Sequence, residues 1–167
     1  VHRARTVMRY KTSKYTMERP LHIGAALAGA NPVLDATYTA YGLALGEAFQ
    51  LRDDVLGVFG SAEETGKPSG DDLREGKPTL PLIYLLENGS STEQLLVRAA
   101  IEQNQDLPED VFAQILNAVR NSGALDYTQT AAKREADLAL QCIQDFPSND
   151  ATIALRDLCI YSLTRQT

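Results

Sequence analysis

The sequence predicts an all-α fold, a helical bundle arranged around one long central helix. Three observations carry that reading. Alternating runs rich in Val, Ile and Thr do not appear, while Ala, Leu, Glu and Gln dominate. A helical pattern opens at Asn31-Pro32, where Asn caps and Pro at the first helical position loses no needed N–H. It continues unbroken to about Phe59, roughly 42 Å at 1.5 Å per residue.

Each remaining element follows from local signals. A basic segment precedes Pro20. Residues 60–78 hold four Gly and two Pro among mixed charges, which predicts a long loop of the kind usually tied to function. Thr79–Leu86 is apolar and stops at Asn88-Gly89, and Thr92–Gln103 follows. Pro108–Arg120 starts on a Pro and ends at Asn121-Ser122-Gly123. Leu125–Phe146 is amphipathic and ends before Pro147. Ser148–Arg165 closes the chain, with Ile153, Leu155, Leu158, Cys159 and Leu163 as its expected buried side.

Composition narrows the function. A length of 167 residues fits one domain. A net charge of −6 argues against general nucleic-acid binding and against adhesion to an anionic membrane. With 44% hydrophobic and 23% charged residues the chain is globular, not disordered. No stretch reaches ~18 consecutive apolar residues, so no membrane span is expected. Cys142 and Cys159 match neither a zinc set nor a disulfide framework, which points to reduced thiols and a cytoplasmic setting. Residues 2–19 carry six basic side chains against Glu18, a local +5, so the remainder sums to −11. Val1 opens directly onto this basic segment, and the chain is expected to be part of a larger domain.

The long helix carries the chemistry. Gly42, Gly46, Gln50, Asp53 and Gly57 fall within about 80° of arc, with Asp54 beside them. The rest of the circumference is mostly apolar, as for a helix interior to its fold. Three glycines on one face, each costing ~1 kcal/mol relative to Ala, point to a need for space. Two carboxylates there require compensation from Arg or Lys, from solvent near the helix end, or from a cation. Adjacent acids suit Mg²⁺, above all when substrate phosphates complete its coordination. The loop adds Lys67 and Lys77, each directly after a Gly, 13 and 23 residues beyond the Asp pair. Flexible ammonium groups beside a metal are what a polyphosphate needs.

In four segments the sequence resembles the trans-type isoprenyl (polyprenyl) diphosphate synthases. Tyr10-Lys11-Thr12-Ser13-Lys14-Tyr15 resembles the family's Lys-Thr segment. Gly46-Glu47-Ala48-Phe49-Gln50-Leu51-Arg52-Asp53-Asp54 resembles the Phe-Gln entry to its second Asp-rich motif. Thr65-Gly66-Lys67-Pro68 and Asp72-Leu73-Arg74-Glu75-Gly76-Lys77-Pro78-Thr79 resemble the loop beyond. The likeness covers residues 1–86 and looks closest to bacterial geranylgeranyl-diphosphate-type enzymes.

The resemblance implies a fold of the isoprenoid-synthase type and a Mg²⁺-dependent prenyltransfer from an allylic diphosphate to isopentenyl diphosphate. Asp53 would ligate a Mg²⁺ bridging to the allylic diphosphate, with Asp54 supporting the same site. Lys11, Lys67 and, less directly, Lys77 would contact diphosphate oxygens. Thr12 and Gln50 would set oxygen dipoles near the forming allylic cation, and Phe49 would border the isopentenyl diphosphate site. Two departures stand out. The third Asp of the family's DDxxD pattern is replaced by Gly57, and no upstream Asp-rich motif occurs in these 167 residues. The chain therefore reads as the C-terminal part of one such domain, residues 1–167, lacking its N-terminal half. The resemblance further implies a homodimer whose interface draws on upstream helices. Rival readings are a non-catalytic fragment or partner subunit, and a terpene cyclase. The Phe-Gln-x-x-Asp-Asp run with its Gly-Lys loop favours elongation over cyclisation.

Overall fold

A computed structural model describes Thr6 and residues 9–60, 70–103 and 107–165. Every regular element among them is helical. A π-helical segment, Arg9–Glu18, leads into α1 (Arg19–Leu27) and the long α2 (Pro32–Phe59). Then come α3 (Asp71–Arg74), α4 (Leu80–Asn88), α5 (Ser91–Gln103), α6 (Glu109–Asn121), α7 (Ala124–Cys142) and α8 (Asp150–Thr164). The all-α expectation holds.

Local chemistry accounts for the boundaries. Asn31 Oδ1 accepts the Leu34 N–H at 3.0 Å and opens α2. Ser90 and Glu93 form a capping box ahead of α5: the Ser90 N–H donates to Glu93 Oε2 at 2.7 Å, and the Glu93 N–H to Ser90 Oγ at 3.4 Å. Asn149 Oδ1 accepts from the Thr152 N–H at 2.9 Å and opens α8.

Pro20 sits in the first turn of α1, directly after the basic segment, and its missing N–H costs nothing there. Three expectations are corrected. Residues 60–78 are not wholly loop, because α3 forms within them and Leu73 is fully buried. The helix expected to reach Phe146 stops at Cys142, where i→i+3 bonds from Ile143 to Leu140 and from Gln144 to Gln141 tighten the last turn. On α8 the buried residues are Thr152, Cys159 and Ser162, while Ile153 and Leu158 are exposed.

Two compact units divide the chain. One takes His2–Gln50 with Ala131–Arg165, the other Leu51–Thr130. The first is built on Tyr41, Leu45, Ala139, Ile143 and Cys159. Tyr41 is fully buried, its hydroxyl donates to the Leu155 carbonyl at 2.7 Å, and burial holds the phenol far above its ordinary range. Neither cysteine is in a disulfide; Cys159 is buried, Cys142 half-buried, and burial raises both thiols. The second unit packs Val58, Leu73, Leu82, Leu85, Val97 and Ala100 against one face of α6, from which Phe112, Ile115 and Val119 point inward. From Tyr41 to Gly60 no residue of the chain is exposed, as the apolar circumference of α2 requires. No helix among the described residues is long and apolar enough to cross a membrane.

Candidate functional site

The glycine stripe of α2 is filled by the chain itself. A Cβ on Gly42 would meet Glu18 Cα at 2.8 Å, and a Cβ on Gly46 would collide with the Cα and side chain of Ser13. Ser13 and Glu18 are both buried. They are five residues apart, which i→i+5 winding brings onto one face of the π-helical segment. The space read from Gly42 and Gly46 is therefore taken by the backbone of the chain itself. One step further along the same stripe, Thr12 Oγ1 donates to Gln50 Oε1 at 2.7 Å.

That contact joins two of the expected site residues, 38 positions apart in sequence. By giving its proton to Gln50, the Thr12 hydroxyl turns its lone pairs the other way. Lys11, the neighbouring residue, is exposed. Phe49 is half-buried, with the Arg165 guanidinium 3.7 Å above its ring and Arg165 Nη2 donating to its carbonyl at 3.3 Å. Arg165 escaped the sequence reading because nothing in its neighbourhood forms a motif, and only the fold brings residue 165 to residue 49.

In the unit Leu51–Thr130, Asp53 is half-buried and Asp54 is 5% exposed. Asp54 Oδ2 accepts the backbone N–H of Leu80 at 2.7 Å, at the first position of α4. Lys77 is held on both sides: its Nζ lies 2.6 Å from Asp72 Oδ1 and 2.6 Å from Glu75 Oε2. Those two acceptors push its ammonium well above the ordinary lysine range. Asp72 in turn stands against Gly57.

The backbone around Lys77 is tied down. Gly70 and Gly76 both take positive φ, +71° and +63°, on either side of α3. Arg74 makes a two-pronged pair with Glu109, 2.9 and 3.2 Å, and its guanidinium lies 3.8 Å above the Phe112 ring. Lys67, the other expected loop cation, lies outside the described residues.

A family model described as polyprenyl synthetase matches residues 2–119. The chain belongs to the polyprenyl synthetase family. The octaprenyl diphosphate synthase of Escherichia coli is 36% identical over 154 residues, covering 90% of this chain and 47% of that protein. The structure of a geranylgeranyl pyrophosphate synthase from Corynebacterium glutamicum, complexed with isoprenyl diphosphate and magnesium, superimposes with a TM-score of 0.87 and 38% identity. It covers 97% of this chain and 46% of that one. A polyprenyl synthase from Caulobacter crescentus, complexed with calcium and isoprenyl diphosphate, gives 0.85 and 35%, covering 96% and 48%. The chain thus spans about half the length of the family relatives it matches.

Magnesium fits the donors present. Asp53 and Asp54 are hard oxygen donors, and Mg²⁺ commonly takes one or two carboxylates with phosphate and water oxygens completing the sphere. Among the described residues no group of three or more His, Cys, Asp or Glu side chains stands close enough to hold a metal ion.

Proposed function

We propose that residues 1–167 are the C-terminal part of a single all-α polyprenyl synthase domain, and that the complete protein condenses an allylic diphosphate with isopentenyl diphosphate. The product is a longer polyprenyl diphosphate, of the geranylgeranyl type. The observation that carries this reading is the 2.7 Å contact between Thr12 and Gln50. Ionising the allylic carbon–oxygen bond leaves a cation that needs oriented oxygen dipoles without a nucleophile close by. A Thr hydroxyl aligned by a Gln carbonyl meets that need, since its only proton is already committed.

Asp53 and Asp54 would hold Mg²⁺, which when bound neutralises charge on the departing diphosphate. Lys11, Lys67 and Lys77 would add charge-assisted contacts to diphosphate oxygens. Phe49, fixed by Arg165, would border the isopentenyl diphosphate site. The enzyme would work as a cytoplasmic homodimer. The geranylgeranyl assignment draws support from the 38% identity to the Corynebacterium enzyme.

The test is product analysis of the full-length protein with Mg²⁺, labelled isopentenyl diphosphate and either geranyl or farnesyl diphosphate. A twenty-carbon product that disappears on chelation is expected. Absence of any condensation would overturn the proposed activity. A longer product would overturn only the geranylgeranyl assignment.

A further inference from the structure

Arg165 follows the last residue of α8, a place where a charged side chain ordinarily stays in water, yet it is only 8% exposed. The backbone leaves the helix there, with φ −59° and ψ 147°, while the Arg165 N–H still closes the final turn on the Tyr161 carbonyl at 3.0 Å. The side chain turns inward onto Phe49 of α2. Its guanidinium lies 3.7 Å above the Phe49 ring, and Nη2 donates to the Phe49 carbonyl at 3.3 Å. A planar group bound to both the ring and the main chain of one residue fixes that ring against its own helix.

A second contact keeps the two helices in register. The fully buried Tyr41 donates its hydroxyl to the Leu155 carbonyl at 2.7 Å, so α8 runs beside α2 in the same direction, from Tyr41 towards Phe49. The two contacts are about 12 Å apart along α2 and about 15 Å apart along α8. All four residues belong, with Thr12 and Gln50, to the unit formed by His2–Gln50 and Ala131–Arg165. The carbonyl that Arg165 holds is that of the residue before Gln50, whose side chain receives the Thr12 hydroxyl at 2.7 Å.

We infer that Arg165 is a positioning residue for Phe49 and, through that ring, for the acceptor side of the condensation. The inference rests on the reading of Phe49 as the border of the isopentenyl diphosphate site given above. It goes further in assigning the end of α8 a part in acceptor binding. Arg165 acts through the ring and not on the diphosphate. A ring released from the guanidinium samples other rotamers, so the acceptor is held less tightly beside the allylic carbon. The allylic diphosphate, held by the metal and the lysines under the same reading, loses nothing. Lysine is no equivalent at 165, because it brings a charge to the ring without the planar fork that also reaches the carbonyl.

The experiment uses the full-length protein and the variants Arg165→Ala, Arg165→Lys, Phe49→Leu, and Phe49→Leu with Arg165→Ala. Asn149→Ala serves as the control: it removes the 2.9 Å cap at the opposite end of α8 and loosens that helix without touching Phe49. Three readouts are taken: the melting temperature, the fluorine resonance of para-fluorophenylalanine placed at position 49, and kcat with separate KM values for the two substrates. Arg165→Ala is expected to move the resonance and raise the isopentenyl diphosphate KM about tenfold, with the allylic KM unchanged and kcat little lower. Arg165→Lys should raise the same KM severalfold and give a resonance between the two. The double variant should be no worse than Phe49→Leu alone. Asn149→Ala should melt earlier yet keep the wild-type resonance and both KM values.

An Arg165→Ala enzyme with the wild-type isopentenyl diphosphate KM would overturn the inference. So would an Arg165 effect that persists in full on the Phe49→Leu background, which would put the guanidinium on the substrate itself. A rise in the same KM in Asn149→Ala would reduce the role of Arg165 to general support of α8. Where Arg165→Ala does not fold, Arg165→Lys carries the same comparisons. The resonance needs no substrate, so an unmoved signal in both 165 variants removes the contact even in a protein that condenses nothing. A moved signal in a protein without any condensation would overturn the proposed activity, and the acceptor role with it, while the hold of Arg165 on Phe49 stands.

Discussion

Asp54 Oδ2 and the backbone N–H of Leu80 are joined by a 2.7 Å hydrogen bond across 26 residues of sequence. Helix α4 begins at Leu80 with an orphan donor, and its own N-cap residue, Thr79, makes no side-chain cap bond. A carboxylate from α2 fills that role, with its negative charge at the positive end of the helix. Thus the second of two adjacent acids, expected to support a metal, also holds the next helix in place.

Asp53 and Asp54 should therefore respond differently to truncation. Asp54→Ala leaves a buried N–H without its acceptor and is expected to cost about 1–3 kcal/mol of folding stability, measured by urea denaturation. Asp54→Asn keeps an oxygen acceptor and should recover most of that loss. Asp53→Ala, at a half-buried position, should leave the fold intact and lower turnover of the full-length enzyme by orders of magnitude at saturating Mg²⁺. Near-normal turnover in Asp53→Ala would remove it from the metal site.

The legibility of this chain follows how local each signal is. The helix Pro32–Phe59 was readable to the residue because Asn31 and Pro32 mark its start within two positions. Helix α1 was not, since Pro20 punctuates either an end or a first turn and only context decides which. The glycine stripe announced a need for space, yet a glycine says nothing about what fills it. At Gly42 and Gly46 the occupants are Glu18 and Ser13. Thr12 and Gln50 were found through resemblance, and the fold then brought them together. The contacts of Asp72 with Gly57 and of Arg165 with Phe49 were missed because 15 and 116 residues separate the partners and no local spacing links them.

Gly46→Ala tests the close approach. The added methyl would overlap Ser13, including its Cα, so relief requires moving backbone and not merely a side-chain end. Overpacking of this kind typically costs about 1–3 kcal/mol, and a backbone clash sits at the upper end. Displacing the π-helical segment should also separate Thr12 from Gln50. The expected result is lower urea stability together with a fall in kcat larger than that of Ser13→Ala, which leaves the glycine groove untouched.

Acid sensitivity should come partly from two exposed carboxylates. Hydrogen bonds from the Ser90 hydroxyl and N–H hold Glu93 below its ordinary value of 4.5, and the Arg74 guanidinium does the same for Glu109. A depressed folded pKa means the unfolded chain binds protons first as pH falls. Their contribution is thus fully present above about pH 4.5 and is lost below it, as pH falls through the folded values. Denaturation followed from pH 6 to pH 3 should show stability falling with pH. Glu93→Gln and Glu109→Gln should each flatten that slope, and an unchanged slope in both would remove these pairs from the acid response.

Exposed apolar surface sets the last expectation. Between Tyr10 and Val33 five large side chains stand mostly in solvent: Tyr10 at 66%, Tyr15 at 80%, Ile23 at 62%, Leu27 at 85% and Val33 at 75%. Fully burying one such side chain contributes about 1.5–3 kcal/mol, so together they forgo on the order of 10 kcal/mol. That is comparable to the whole net stability of a typical domain, about 5–15 kcal/mol. The chain spans about half the length of the family relatives it matches. The polypeptide Val1–Thr167 expressed alone should self-associate and bind a hydrophobic dye. With residues 1–167 the C-terminal part of the domain, as proposed, supplying its upstream half, in cis or as a separate chain, should abolish dye binding and restore a defined assembly. Leu27→Lys with Val33→Lys should reduce self-association of the short polypeptide and weaken its capture of the separate half. A short polypeptide that stays monomeric, binds no dye and ignores the upstream half would show that these side chains need no cover.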